Sequence, residues 1–177
     1  MRRSSLLAAA VAMGVALGLG PALAEGNPSP PPPSSGGSAP APKATKEKKK
    51  SKKEKKADAE FQARYAAGFG LIQQGRYAEA IAAFRAIGHD DHPDVANYIG
   101  FASRKLGHYA EAETWYRRAL AADPTHVRTW QYYGMWHVEQ GNLLKAQDHL
   151  DKIARLCGES CKEFADLKGA MEGTVVY

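Results

Sequence analysis

Hydrophobic and polar residues follow a different pattern in each of three parts of the chain. An apolar stretch runs from Leu6 to Leu19, and no aromatic residue occurs before Phe61. From Ala59 onward the apolar residues recur at helical spacing, three and four positions apart, which places them on one face of a helix. The pattern therefore predicts an apolar leader, a spacer with no core of its own, and a helical region.

The helical region repeats itself. Tyr98, Gly100, Gly107 and Ala112 have counterparts 34 residues later, and an earlier copy aligns at a spacing of 32. Each copy has a small residue in its first helix, where a partner helix crosses closely, and a glycine suited to end that helix. Helical hairpins of this kind bury their apolar faces only by stacking. The fold class that we predict is all-α, a solenoid of helical hairpins.

These motifs resemble the tetratricopeptide repeat family. The resemblance rests on the 34-residue period, on the G-x-Y-x-x-A junctions Gly75–Ala80 and Gly107–Ala112, and on the Asp-Pro pair at positions 123 and 124. It covers residues 59–156 as three repeats, of which the first is two residues short and the third has Leu143 in place of the junction tyrosine. The resemblance implies a superhelix whose concave face, lined by the first helices, binds an extended or helical peptide.

Carried over to this chain, the resemblance also implies which residues line a peptide-binding groove. They are Tyr65, Phe69, Asn97, Tyr98, Phe101, Arg104, Arg128, Gln131, Tyr132 and Met135, with Gln62, Ile72, Gln73, Asp94, Lys105, Val138 and Glu139 on the same face. Exposed aromatic side chains are unfavourable unless a partner covers them, so this face suits an apolar or mixed peptide. The alternative is that half of these residues pack between repeats. The basic residues are too few to predict a clamp for a terminal carboxylate.

The end of the third repeat predicts a tight turn followed by one more helix. Cys157 lies at the predicted end of a helix, and Gly158 suits the residue that stops it. Ser160 and Glu163 have the spacing of a capping box for the next helix, which we expect over residues 161–172. Residues 157–177 are therefore predicted to form a capping helix and a tail.

Cys157 and Cys161 are the only cysteines in the chain, and they flank this turn. We predict a disulfide between them, because paired cysteines normally oxidise outside the cytoplasm. Two alternatives stay open: a soft-metal site that uses both thiolates with His149, and a thiol redox site.

The N-terminus predicts export. Arg2 and Arg3 precede the apolar stretch, and Ala22-Leu23-Ala24 has the small-x-small pattern that signal peptidase reads. We interpret residues 1–24 as a secretory signal and expect the mature protein in the periplasm of a Gram-negative bacterium. An uncleaved membrane anchor is the alternative, since the apolar stretch and its flanks are just long enough to cross a bilayer.

Residues 25–58 are rich in Pro, Gly and Ser and then in Lys, so we predict a disordered tether. Residues 43–56 contain nine Lys and two Glu, a local charge of +7. From Ala59 onward, 13 basic residues face 15 acidic ones, so the net charge of +5 comes from the tether and not from the helical region. We therefore predict no nucleic-acid partner. The tether either contacts anionic envelope surfaces weakly or acts only as a solvated spacer.

No motif in the chain predicts catalysis. The cluster of histidines and carboxylates at 89–94 has contiguous potential ligands, which rarely all face one ion, so we interpret it as a polar connector. We predict no enzyme activity, no cofactor and no resident metal. The function that we predict is a non-catalytic exported scaffold or adaptor that binds a protein or peptide partner. The alternative is a metal or thiol-redox accessory protein that works through Cys157 and Cys161.

Overall fold

The computed structural model of the protein describes residues 51–174, which form seven α-helices and no strand. They are α1 (Lys52–Gln73), α2 (Tyr77–Arg85), α3 (Pro93–Lys105), α4 (Tyr109–Ala122), α5 (Val127–Glu139), α6 (Leu143–Cys157) and α7 (Lys162–Met171). The predicted signal peptide, the tether up to residue 50 and residues 175–177 lie outside the described part of the chain. None of the seven helices has the length and apolar character of a membrane-spanning segment.

The helices pair as hairpins, α1 with α2, α3 with α4 and α5 with α6, and the hairpins stack in chain order. The last helix, α7, packs against both α5 and α6. Its Leu167 is fully buried against the third hairpin, close to Gly134 of α5. The predicted all-α solenoid of helical hairpins is confirmed for residues 51–174.

Gly100 shows why the first helix of a repeat needs a small residue. A Cβ atom added there would lie 2.9 Å from the ring of Tyr116 and 3.3 Å from the carbonyl oxygen of Ala112, both on the partner helix α4. The two helices can approach this closely only because residue 100 has no side chain. The glycine therefore sets the spacing of the hairpin.

Gly107 ends α3 in the way that the sequence predicts. Its φ angle of +78° lies in the left-handed region, which glycine adopts without steric cost. Gly107 N–H donates to the carbonyl of Arg104, and His108 N–H donates to that of Ser103, both at 2.9 Å. These two bonds form a Schellman motif, which satisfies carbonyl groups at the end of the helix and turns the chain into α4.

The start of α1 differs from the prediction. The tether is predicted to extend to residue 58, whereas α1 begins at Lys52 and residues 52–58 are helical. Ser51 and Glu54 form a capping box, in which Glu54 N–H donates to Ser51 Oγ and Ser51 N–H donates to the Glu54 carboxylate. Lys and Glu are good helix formers, so this segment is helical although it buries nothing.

The start of α7 also differs from the prediction. The N-cap is Cys161, with φ −75° and ψ 154°, and its side chain makes no capping hydrogen bond. The predicted capping box of Ser160 and Glu163 is wrong, because α7 begins one residue later than the box requires. Cys161 is held at the end of α6 by its disulfide to Cys157.

The second helices form a polar outer face. Trp115 of α4 is almost fully buried in the apolar core, and the guanidinium groups of Arg85 and Arg118 lie 5.3 and 5.0 Å from its ring. Arg85 also pairs with Glu111 at 3.0 Å, which links the first hairpin to the second. Charged side chains thus border the outer edge of this core residue.

A candidate peptide-binding groove

The three first helices bring a row of aromatic rings together, and we refer to Phe69, Tyr98, Phe101 and Tyr132 as the aromatic strip. Ring centroids are 5.3 Å apart for Phe69 and Tyr98, 6.5 Å for Tyr98 and Phe101, and 4.9 Å for Phe101 and Tyr132. These distances are those of favourable aromatic pairs. Tyr98 is buried, whereas the other three rings are partly exposed. The strip therefore runs from α1 across α3 to α5 and reaches the surface in each helix.

The predicted groove residues divide into two groups. Tyr65, Asn97, Tyr98, Arg104, Gln131 and Met135 are buried. Phe69, Phe101, Arg128 and Tyr132 are partly exposed. Packing between repeats, the alternative to peptide contact, thus describes part of the first group. Gln131 and Met135 instead contact α7, through Asp166 and the apolar cluster around Leu167. Contact with a peptide stays a prediction, and the partly exposed group is where a partner has access.

Tyr65 and Met135 are two buried residues of the predicted groove that pack into the core. The ring of Tyr65 lies 5.8 Å from Phe84 and 6.0 Å from Tyr98, so it fills the junction between the first two repeats. Met135 belongs to an apolar cluster with Ile153 of α6 and Leu167 of α7. Both side chains contribute to the core that holds the groove in shape.

A buried polar network joins the second repeat to the third, next to the aromatic strip. The carboxylate of Asp94 is fully buried, and its Oδ1 lies 3.1 Å from both Arg128 Nη1 and His126 Nε2. His126 Nδ1 contacts Thr129 Oγ1 at 2.6 Å, and this hydroxyl donates to Asn97 Oδ1 at 3.1 Å. A buried charge needs such partners. The network fixes Arg128 with its guanidinium 5.9 Å from the Tyr98 ring.

The segment from Pro93 to His126, which is α3, α4 and their flanking turns, matches the family model of the tetratricopeptide repeat. The chain carries a tetratricopeptide repeat. No curated protein matches the chain in a sequence comparison. The tetratricopeptide repeat is generally a non-catalytic protein-interaction module, so its presence supports a protein-interaction scaffold at a coarse level.

The hydrogen-bonded network around Asp94 is a feature of this repeat that we did not predict from the sequence. The sequence places Asp94 both at the end of the polar cluster 89–94 and on the groove face. In the structure it belongs to the first turn of α3, and its side chain is buried. One signal for its role is present in the sequence. Asp94 and Arg128 are 34 residues apart, so consecutive repeats carry opposite charges at equivalent positions.

Two basic residues flank Phe101 at the C-terminal end of α3. The Arg104 guanidinium lies 5.5 Å from the Phe101 ring, and its Nε is 3.8 Å from the Glu139 carboxylate. Lys105 Nζ lies 5.8 Å from the same ring. Burial lowers the pKa of Lys105, and the neighbouring Arg104 charge lowers it further. The centre of the aromatic strip is therefore bordered by cations.

Cys157 and Cys161 are joined by a disulfide, with 6.0 Å between their Cα atoms. The bond links the end of α6 to the start of α7. A carboxylate oxygen of Glu163 and the two sulfur atoms all lie within 4.8 Å of one another. His149, the additional ligand considered above, is not in this group, and its Nδ1 lies 3.1 Å from the carbonyl oxygen of Trp130.

Proposed function

We propose that this protein is a non-catalytic exported adaptor, which binds a protein or peptide partner in the concave groove of its repeats. The observation that carries the proposal is the aromatic strip, because Phe69, Phe101 and Tyr132 are partly exposed on three consecutive first helices. Aromatic side chains that remain accessible in a row are typical of binding surfaces.

The surroundings of the strip support the same function. Tyr98, the buried ring of the strip, packs against Tyr65, Phe84 and Tyr132, so the strip is built on a packed core. A rigid groove loses little conformational entropy when a partner binds. Arg128 on one side and Lys105 on the other add charges that orient a bound chain.

Export is the part of the proposal that rests on the sequence of residues 1–24. Arg2 and Arg3, the apolar stretch and the Ala-Leu-Ala motif form a secretory signal, and the proposed location is the periplasm of a Gram-negative bacterium. In that compartment the disulfide between Cys157 and Cys161 is chemically stable. The segment that precedes α1 gives the repeats reach, with weak contact of its lysines to anionic envelope surfaces.

Site-specific photo-crosslinking tests the adaptor function. A photoreactive phenylalanine is placed at Phe101 in the groove or at Tyr109, an exposed aromatic residue at the start of α4. We expect the partner to be crosslinked from position 101 and not from position 109. Equal crosslinking from both positions, or crosslinking only from position 109, would remove the groove from the proposal.

A metal or thiol-redox accessory function is the second candidate, and the grouping of Glu163 with both sulfurs is the observation in its favour. Soft thiolates with a carboxylate suit a divalent cation once the disulfide is reduced. Joint replacement of Cys157→Ser and Cys161→Ser separates the two candidates. Partner binding is retained if the protein is an adaptor, whereas metal binding or thiol activity is abolished if the cysteines are the working site.

A further inference from the structure

The charge of Lys105 in the groove indicates which kind of partner the groove binds. Its side chain is only partly exposed, and its Nζ lies over Phe101 at 5.8 Å from the ring centroid. No carboxylate of residues 51–174 lies within ion-pair distance of it. The acidic residue that affects it, Glu139, has its carboxylate 3.8 Å from Arg104 Nε instead.

An ammonium group that is partly removed from water without a direct ion pair is unfavourable. Burial already lowers the pKa of Lys105, which is the direction expected for such a cation. An anion bound next to Lys105 would restore the missing interaction. The surface around Lys105 therefore favours an acidic group of a partner.

The three repeats carry different residues at the position of Lys105. The equivalent residues are Gln73 in the first repeat and Glu139 in the third, so only the second repeat has a cation there. This repeat is the central one, where a bound chain is flanked on both sides. The acidic group is thus expected at the middle of a bound peptide and next to the aromatic strip.

We propose that the groove selects peptide segments in which an acidic side chain neighbours an aromatic or large aliphatic one. The carboxylate pairs with Lys105, and the apolar side chain packs on Phe101 and Tyr132, whose rings are 4.9 Å apart. This inference rests on the proposed function and specifies the chemistry of the partner. The acidic group is a side chain within the peptide, so a free C-terminus is not required.

Selection from a random peptide library tests the inference. Peptides with both ends blocked or fused are displayed to the full chain and to the Lys105→Glu variant. From the unaltered protein we expect segments that pair Asp or Glu with an aromatic or aliphatic residue. With Lys105→Glu, we expect binding of these peptides to fall about tenfold, and Lys or Arg to replace the acidic residue in newly selected peptides.

Two further variants test whether the change in peptide preference is due to the charge at position 105. Lys105→Gln introduces the residue that the first repeat has naturally, so it should lose the acidic preference without acquiring a basic one. Lys145→Glu is the matched control, because Lys145 is an exposed lysine that pairs with Asp148 on α6. The Lys-rich residues 43–56 also attract acidic peptides, but they are the same in every variant.

The outcomes separate this inference from the proposed function. An acidic preference that is unchanged in Lys105→Glu and Lys105→Gln overturns the inference, since it would come from the Lys-rich segment. Selected peptides that need Phe101 but show no acidic preference also overturn it, and they leave the adaptor function intact. If no peptide is selected above background, the adaptor function itself fails, and the inference fails with it.

Discussion

At the scale of single residues, His149 shows how burial controls a titratable side chain in this protein. Its ring packs against Trp130 and Tyr133, each with a centroid distance of 4.9 Å, and its Nδ1 contacts the Trp130 carbonyl. Burial lowers the pKa of His149 from 6.5 to about 4. Burial also lowers the pKa of His137, whose ring is 5.0 Å away. The third repeat therefore holds two imidazoles that favour the neutral form.

Because burial lowers the pKa of His149, we predict that the protein loses stability in mild acid. The unfolded chain binds a proton near pH 6.5, whereas the folded protein binds it only near pH 4, so stability is full above pH 6.5 and falls as the pH drops toward 4. From pH 7 to pH 5, His149 should account for a loss of about 2 kcal/mol in the free energy of unfolding. Urea unfolding at the two pH values measures this loss.

The variant His149→Gln removes the titrating group, so its free energy of unfolding should depend less on pH by the same amount. His108→Gln is the control, because His108 lies exposed between α3 and α4. If the free energy of unfolding depends on pH equally in the unaltered protein and in both variants, His149 is not responsible for the loss of stability in acid.

At the scale of helices, the packing of each hairpin depends on one glycine. Gly100 of α3 faces Tyr116 of α4 at a distance that leaves no room for a Cβ atom. Gly70 of α1 is also helical, but nothing lies within 4 Å of the place where its Cβ would be. The same substitution therefore acts in opposite directions at the two sites.

Gly100→Ala should destabilise the protein, because the gain in helix propensity is smaller than the cost of about 1–3 kcal/mol for a crowded core. Gly70→Ala should raise stability by up to about 1 kcal/mol, since alanine is the better helix former and meets no obstacle. Thermal and urea unfolding compare the two variants. Destabilisation by Gly70→Ala, or none by Gly100→Ala, would contradict the assigned packing.

The hairpins could be predicted from the sequence because glycines and turn residues act locally. The G-x-Y-x-x-A junctions and the helix-ending glycines fix where each helix stops, and the repeat period then gives the stacking order. The start of α1 could not be predicted from composition, because a Lys-rich run is also typical of disorder. Only the spacing of Ser51 and Glu54 marks it as a helix start.

The exposure of the aromatic side chains in the groove could be predicted from the sequence only in part. Tyr98 and Tyr132 occupy equivalent positions in the sequence, yet Tyr98 is buried and Tyr132 is partly exposed. The difference arises because Tyr98 lies in the central repeat, with Tyr65, Phe84 and Phe69 around it. Such neighbours depend on how closely the first helices approach each other, and the period of a repeat does not determine this distance.

At the scale of the whole molecule, α7 closes the stack of hairpins, and one covalent bond helps to hold it. The disulfide between Cys157 and Cys161 joins α7 to α6, and Leu167 inserts next to Gly134. Repeat proteins of this kind are stabilised mainly by contacts between neighbours. A change at one end of the stack is therefore expected to remain local.

Joint replacement of Cys157→Ser and Cys161→Ser should lower the free energy of unfolding by about 2 kcal/mol, as expected for a loop this short. Amide hydrogen exchange should become faster in α7 and at the end of α6, while α3 and α4 keep their protection. Faster exchange throughout all three repeats would instead mean that the disulfide stabilises the array as a whole.

The buried pair of Asp94 and Arg128 has a consequence for how such an array can change in length. The equivalent residue of the first repeat is Gln62, so the three repeats carry Gln, Asp and Arg at one position. Deletion of the second repeat would bring Gln62 opposite Arg128, and duplication of it would bring two aspartates together. The repeats share one fold but are not interchangeable modules, because the charge pair at the junction of the second and third repeats requires these two to be neighbours in this order.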